Sequence, residues 1–287
     1  MTDRLVSSQP PTVQPETGRR YLFVHAHPDD ETLSSGAIIV ALRRQGHTPL
    51  VLTATRGELG EVTPAVAQQL GMTAATDTVA ASAALVAYRL AERQQALRWL
   101  GAIDAGWLGT SPNRASGSPD RRYSDSGMTW LAPGLAGPAP DAPDSALTQA
   151  PLATVVADLI AAAQAWRAEV IVSYDAAGGY GHPDHQRCHQ AAEQAARRLA
   201  LPFAVLVTEP TEIDQLPTDQ VFQAGPDQER LLAAHRAYRS QFTVAADGVS
   251  LTHVGGQVEP IAQRLGWRFS LVDCRLGVVV SIRGGRW

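Results

Sequence analysis

Apolar residues along this chain fall into short unbroken runs, separated by stretches in which they recur every three or four positions. The first run, Tyr21-Leu22-Phe23-Val24, is short and rich in β-formers, which predicts a buried strand. Leu33, Ala37, Val40, Ala41 and Arg44 then follow at helical spacing. The pattern repeats: residues 49–54 predict a second strand, 84–100 a helix with Leu85, Tyr88, Ala91, Gln95 and Leu97 near one face, and 103–108 a third strand. Residues 152–167 read as a helix, 170–174 as a strand, the chain from Pro183 to about Ala200 as a helix, and 203–208 as a strand. Strand and helix in alternation predict an α/β fold, a Rossmann-like and mostly parallel sheet with right-handed crossovers and helices on both faces.

Three regions break the alternation. Residues 1–18 carry no periodicity and read as a loose tail. Residues 109–151 are rich in Pro, Gly, Ser and Asp and too long for an ordinary connection, which suggests a lid. Beyond Glu209 the pattern changes to a helix at 228–241 and strands at 249–253 and 276–282. The organisation expected is therefore a tail over 1–18, a catalytic α/β domain over 19–208 and a smaller α+β extension over 209–287, packed on the same domain.

At 287 residues the chain can bury roughly 75% of its unfolded surface. Its 24 Lys and Arg against 28 Asp and Glu leave a net charge of -4, with no basic surplus for phosphates, so nucleic acid is not an expected partner. The two cysteines, Cys188 and Cys274, fit neither a disulfide framework nor a zinc knuckle. No apolar stretch reaches membrane-spanning length and no charged-then-apolar leader opens the chain, so a cytoplasmic protein without a membrane partner is expected.

Two stretches concentrate the chemistry. HAHPDDE (25–31) follows the first strand, and GGYGHPDHQ (178–186) follows the strand at 170–174; both then enter a helix. Sites in open parallel sheets form outside the carboxyl ends of strands, so two such junctions can face one crevice. A catalytic zinc takes three protein ligands and keeps one position open. His27, Asp30 and His185 can supply them. A bound divalent ion can bring the pKa of its water to about 7, which suits attack on an unreactive amide. Asp29, next to ligand Asp30, is the candidate general base. His182 and Tyr180 are candidates to stabilise the oxyanion. His25 and Asp175 read as supporting residues, His189, one turn after His185, as a fourth-ligand candidate that the need for an open position disfavours, and His47, His235 and His253 carry no functional signal. The first strand-to-helix turn reads HPDD in place of a glycine fingerprint, which argues against a nucleotide-binding oxidoreductase.

The paired motifs HAHPDDE and HPDH resemble the LmbE-like (PIG-L) family of zinc-dependent N-acetylglucosamine deacetylases. ETLSSGA (31–37), TRGELGEV (55–62) and RYSDSGM (122–128) are further similar to its mycothiol-pathway branch, which deacetylates N-acetylglucosaminyl-inositol. The resemblance implies metal at His27, Asp30 and His185, with iron(II) also suited to these ligands. It implies base at Asp29, oxyanion stabiliser at His182 and a mobile tyrosine at Tyr180. It also implies sugar and inositol contacts from Arg89 and Asp125, with Glu58 in the matching loop. The branch's neighbours are alternatives: cleavage of mycothiol S-conjugates, or deacetylation of the malate-linked glucosaminide of bacillithiol synthesis. A sugar-binding protein without turnover is another. Tyr238 stands where family members often carry a histidine ahead of Ser-Gln, and residues 133–145 and those after Glu209 match little.

Overall fold

The structure is a computed structural model that describes residues 18–72 and 79–270, without the side chains of 79–82. The tail over 1–17 and the strand expected at 276–282 lie outside the described residues.

Strand β1 (Arg20–His25) leads through α1 (Asp30–Leu33) and α2 (Gly36–Arg44) to β2 (Thr48–Thr53). Then come α3 (Pro64–Gln69), α4 (Val79–Leu100), β3 (Ile103–Trp107), a hairpin of β4 (Met128–Ala132) and β5 (Leu135–Pro138), and α5 (Leu152–Ala165). The second half runs β6 (Val170–Ser173), α6 (Pro183–Leu199), β7 (Phe203–Val207), α7 (Pro210–Ile213), β8 (Val221–Gln223) and α8 (Gln228–Ala237). Three short strands, β9 (Phe242–Val244), β10 (Ser250–His253) and β11 (Val258–Pro260), precede β12 (Arg264–Phe269).

The main sheet has the order β3-β2-β1-β6-β7-β12-β8. β1 sits between β2 and β6 in parallel register, Phe23 opposite Val51 on one side and Val172 on the other. The connection order reverses at β1, so the carboxyl ends of β1 and β6 open on one crevice. Successive side chains of a strand point to opposite faces. Tyr21 and Phe23 accordingly join α2, α4 and α8 residues in one core layer, while Leu22 and Val24 join those of α5 and α6 in the other. Both layers are apolar because a helix covers each, and the position of β1 is thereby fixed from both sides.

The C-terminal region joins the main sheet. β12 enters the main sheet antiparallel, between β7 and β8, and Trp267 on it stacks on Tyr21 at 5.5 Å. It covers an edge that would otherwise leave the β7 backbone unpaired. β9, β10 and β11 form a separate sheet. Within the stretch read as a lid, residues 128–138 form the β4–β5 hairpin. The helix expected to reach 241 stops at Ala237, because Glu92 accepts both the N–H and the hydroxyl of Ser240 at 2.8 and 2.6 Å and pulls the chain off the helical path.

Candidate active site

The two junctions do meet. Ring centroids of His27 and His182 are 4.6 Å apart, those of His27 and His185 5.6 Å, and those of His182 and His185 4.9 Å. His25, the last residue of β1, is fully buried and its Nε2 lies 3.0 Å from Ser35 Oγ. Ser35 already gives its proton to the Glu31 carbonyl, so the His25 ring is the donor there and stays neutral; burial holds its pKa at about 4. It supports the turn and has no ligand role.

Asp30, at the first position of α1, lies between two imidazoles. Its Oδ2 accepts the His27 backbone N–H at 2.8 Å and lies 3.4 Å from His27 Nδ1, while its Oδ1 is 3.2 Å from His185 Nε2. His185 stacks flat on Tyr174 at 4.0 Å. Its Nε2 is buried and makes no hydrogen bond, an orphaned polar atom facing a carboxylate. Burial opposes charge on His27, yet the carboxylates of Asp125, Asp184 and Asp30 outweigh it and push its pKa well above the usual range. Buried donors of this type, arranged around a point that calls for positive charge, fit a divalent metal ion. One ring nitrogen each from His27, His182 and His185 lie within 4.8 Å of one another, a group that could hold a metal ion, and Asp30 lies beside two of those rings, those of His27 and His185.

Asp184, which the sequence reading did not single out, organises the surroundings. It is fully buried in the first turn of α6, and its Oδ2 is 3.2 Å from His27 Nε2. The same carboxylate accepts the N–H and hydroxyl of Ser126. A carboxylate on the far nitrogen of a ligand histidine fixes its tautomer and leaves the near nitrogen free for metal. The signal was present in the acid of HPDH, but the spacing alone does not say which ring it serves.

Asp29 adopts φ 100°, ψ -31°. A non-glycine residue there carries strain on the order of 1–3 kcal/mol, which surrounding structure must hold. Burial and the charges of Asp30 and Glu31 push its pKa well above the usual carboxylate range. His182, the N-cap of α6, accepts the Asp184 N–H at its Nδ1 at 3.1 Å, which leaves Nε2 to carry the proton. Burial, then the neighbouring His27 and His185, hold its pKa at about 3, so it is a neutral donor. Tyr180 stands 42% exposed at the cleft mouth, 6.0 Å from His182 and 5.4 Å from His185 between ring centroids.

The three expected substrate contacts separate. Asp125 lines the cleft, its oxygens accepting the N–H groups of Gly127 and Leu59 at 2.8 and 3.3 Å. Arg89 and Glu58 are not among the lining residues. The Arg89 guanidinium donates to the carbonyls of Gly57, Gly60 and Glu61. Glu58 accepts from Arg122 and from the Asp125 N–H at 3.1 Å. Both side chains brace the loop over residues 55–61, Arg89 by donating to its carbonyls and Glu58 by accepting from Arg122 and the Asp125 N–H. Asp175 accepts the Gly179 N–H at 2.8 Å and so braces the glycine loop instead of a ligand histidine.

The PIG-L family profile, described as GlcNAc-PI de-N-acetylase, matches residues 22–196. The 1D-myo-inositol 2-acetamido-2-deoxy-alpha-D-glucopyranoside deacetylase of Kineococcus radiotolerans is 40% identical over 177 residues, 62% of this chain and 44% of that protein, so the match spans less than half of the relative. The protein of the same name from Saccharomonospora viridis is 32% identical over 268 residues, 84% of this chain and 91% of its own length. A solved deacetylase–teicoplanin complex shares the fold at 20% identity and a TM-score of 0.52, over 88% of this chain and 98% of that one. With the profile covering both junctions, and the HPDD and HPDH histidines and carboxylates brought to one crevice, this chain belongs to the PIG-L family.

Proposed function

We propose that this protein hydrolyses the N-acetyl amide of a GlcNAc glycoside, N-acetylglucosaminyl-inositol in particular, with zinc held by His27, Asp30 and His185. The observation that carries the reading is the orphaned His185 Nε2 facing Asp30, beside an Asp29 held at positive φ. When bound, a divalent ion supplies Lewis acidity toward the amide carbonyl and makes water more acidic. Asp29 takes the proton of the attacking water and can return it to the departing amine. His182 Nε2–H donates to the carbonyl oxygen as it gains charge, a role its low basicity suits because the proton stays on the ring. Tyr180, in the glycine loop over residues 178–181, stands at the mouth of the site.

The cleft favours a neutral aglycone. Among the described residues, nine Asp and Glu line it against one arginine, Arg268, whose Nη2 Glu212 already pairs at 2.9 Å. A malate-linked glucosaminide would enter against that field, whereas an inositol glycoside carries no charge. The cavity, about 1190 Å³, exceeds the roughly 300–1,000 Å³ of ordinary ligand pockets and accommodates more than one sugar ring. Acetate release by the metal-loaded protein tests the reading, with N-acetylglucosaminyl-inositol, free GlcNAc, GlcNAc-malate and a mycothiol conjugate compared side by side. Preference for the inositol glycoside is expected; equal or faster turnover of the malate compound would overturn the substrate assignment, and no acetate from any of them would overturn the activity.

A further inference from the structure

The chain after α8, Tyr238-Arg239-Ser240-Gln241, lies beyond the residues that the family profile matches, yet it reaches the active site through Tyr238 and Gln241. Tyr238 is fully buried and its hydroxyl donates to Glu31 Oε1 at 2.6 Å, across 207 positions of sequence. Glu31 is fully buried too; Thr32 Oγ1 donates to the same oxygen at 2.8 Å. The second oxygen, Oε2, accepts the backbone N–H of Asp29 at 3.3 Å. On the other side of Asp29, its carbonyl accepts the N–H groups of Thr32 and Leu33 at 2.8 and 2.9 Å. Both peptide groups flanking the Asp29 Cα are therefore pinned, and with them the left-handed backbone that aims its carboxylate.

The rest of the segment is anchored with equal care. Ser240 is held by Glu92 of α4, and the carbonyls of Ser240 and Arg239 accept from Thr63 N–H and hydroxyl at 3.0 and 2.6 Å. Gln241 reaches the cleft and, with its amide oxygen turned inward, accepts Arg89 Nε at 3.0 Å, behind the loop that Arg89 supports. A tyrosine whose only task was to fill the core would not need a buried carboxylate opposite its hydroxyl, a pairing costly to bury unless it is fully hydrogen-bonded.

We infer that Tyr238 is a positioning residue for the reaction: through Glu31 it holds Asp29 in the conformation that makes it a base. The inference rests on the proposed deacetylation and on Asp29 as the base. The test compares wild type, Tyr238→Phe, Glu31→Gln and the double variant for kcat and KM separately, for zinc bound per chain, and for the Asp29 backbone in a crystal structure of each. Tyr238→Phe is expected to lower kcat roughly 10- to 100-fold, as displacements of about 1 Å at a reacting group do, with KM and zinc content unchanged and Asp29 relaxed out of positive φ. The double variant is expected to be no slower than the slower single one, since both act along one path. A Tyr238→Phe protein with kcat within twofold of wild type, or with Asp29 still at positive φ, would overturn the inference, as would a fall in kcat matched by loss of zinc. If wild type itself releases no acetate, the deacetylase reading fails, and the Asp29 backbone of the variants alone decides whether Tyr238 positions it.

Discussion

The two strand-to-helix junctions carry the same kind of chemistry but bear their backbone strain in different places. At the second, Gly178, Gly179 and Gly181 take the positive φ values, 73°, 64° and 96°, and His182 enters α6 in relaxed extended geometry with its own ring capping the helix. At the first, no glycine is present and Asp29 itself takes φ 100°. Glycine adopts such angles without steric penalty, so the second junction is held by its own sequence. The first depends on a remote partner, the Glu31–Tyr238 pair. A junction that strains its reacting residue needs support from elsewhere in the chain; one that delegates the strain to glycine does not.

The strongest way to break this comparison is to remove the reacting group at each junction. Asp29→Ala is expected to keep its zinc and lose roughly 10²- to 10⁴-fold in kcat, the usual worth of a positioned base. His185→Ala is expected to lose the zinc itself, read by metal analysis after dialysis. Equal zinc loss in both would erase the distinction between a base at the first junction and a ligand at the second. Next in size is Asp184→Asn, which keeps the shape at His27 Nε2 but removes the charge. It is expected to weaken zinc binding by roughly 10- to 100-fold in a competition titration with a chelator. Unchanged affinity would show that the Asp184–His27 pair serves Ser126 and the loop alone.

How far these roles could be read from the sequence differs between the junctions in the same way. The strands β1, β2, β6 and β7 and the helices between them were legible because burial on both faces writes continuous apolar runs and helical spacing. The motifs HPDD and HPDH marked the site because both sit where such runs end. β12 was not legible: its place in the sheet is set by pairing with β7, about 60 residues earlier, and non-local pairing leaves no periodic trace. The β4–β5 hairpin hid for another reason, since Trp130 and Leu131 are neighbours on one strand and both exposed, 49% and 65%, so its faces do not alternate. At the site, Asp125 and the histidines could be named, but Arg89 and Glu58 turn their polar ends onto backbone, a choice that only the folded loop decides. Tyr238 showed itself only as a departure from the family's usual histidine; its partner Glu31 is far away in sequence.

The strain itself can be measured by opposite substitutions. Gly181→Ala would put a Cβ 2.7 Å from the Ala136 carbonyl at φ 96°, and is expected to destabilise by about 1–3 kcal/mol. Asp29→Gly is expected to be more stable than Asp29→Ala by about 1 kcal/mol, because glycine relieves the backbone that alanine keeps strained. At roughly 2–4 °C per kcal/mol, thermal melts of the three variants separate these effects. Asp29→Gly melting below Asp29→Ala would place the strain elsewhere in the turn.

The smallest effect concerns how acid reaches the first junction. His235 lies on α8, one turn before Tyr238, buried with its Nδ1 on the Leu231 carbonyl at 2.8 Å and Phe242 6.1 Å away between ring centroids. Burial lowers its pKa from the ordinary 6.5; the Leu231 carbonyl and Glu259 oppose this but do not prevail. The unfolded chain therefore takes up a proton near pH 6.5 that the folded chain resists. The stability this group contributes is present above pH 6.5 and is lost as pH falls below it toward the folded pKa. The loss cannot exceed about 1.4 kcal/mol per pH unit from one group. His235→Phe removes the titration while keeping an aromatic ring, so its melting temperature is expected to fall less than that of wild type between pH 7 and pH 5. Because α8 delivers Tyr238 to Glu31, the same acid step is expected to loosen the first junction before the second. Hydrogen exchange at pH 5 should then show Asp29 and Thr32 amides losing protection ahead of Gln186, whose N–H is held by the His182 carbonyl at the start of α6. Simultaneous loss at both helix starts would mean that α8 supports the whole crevice and not the strained turn alone.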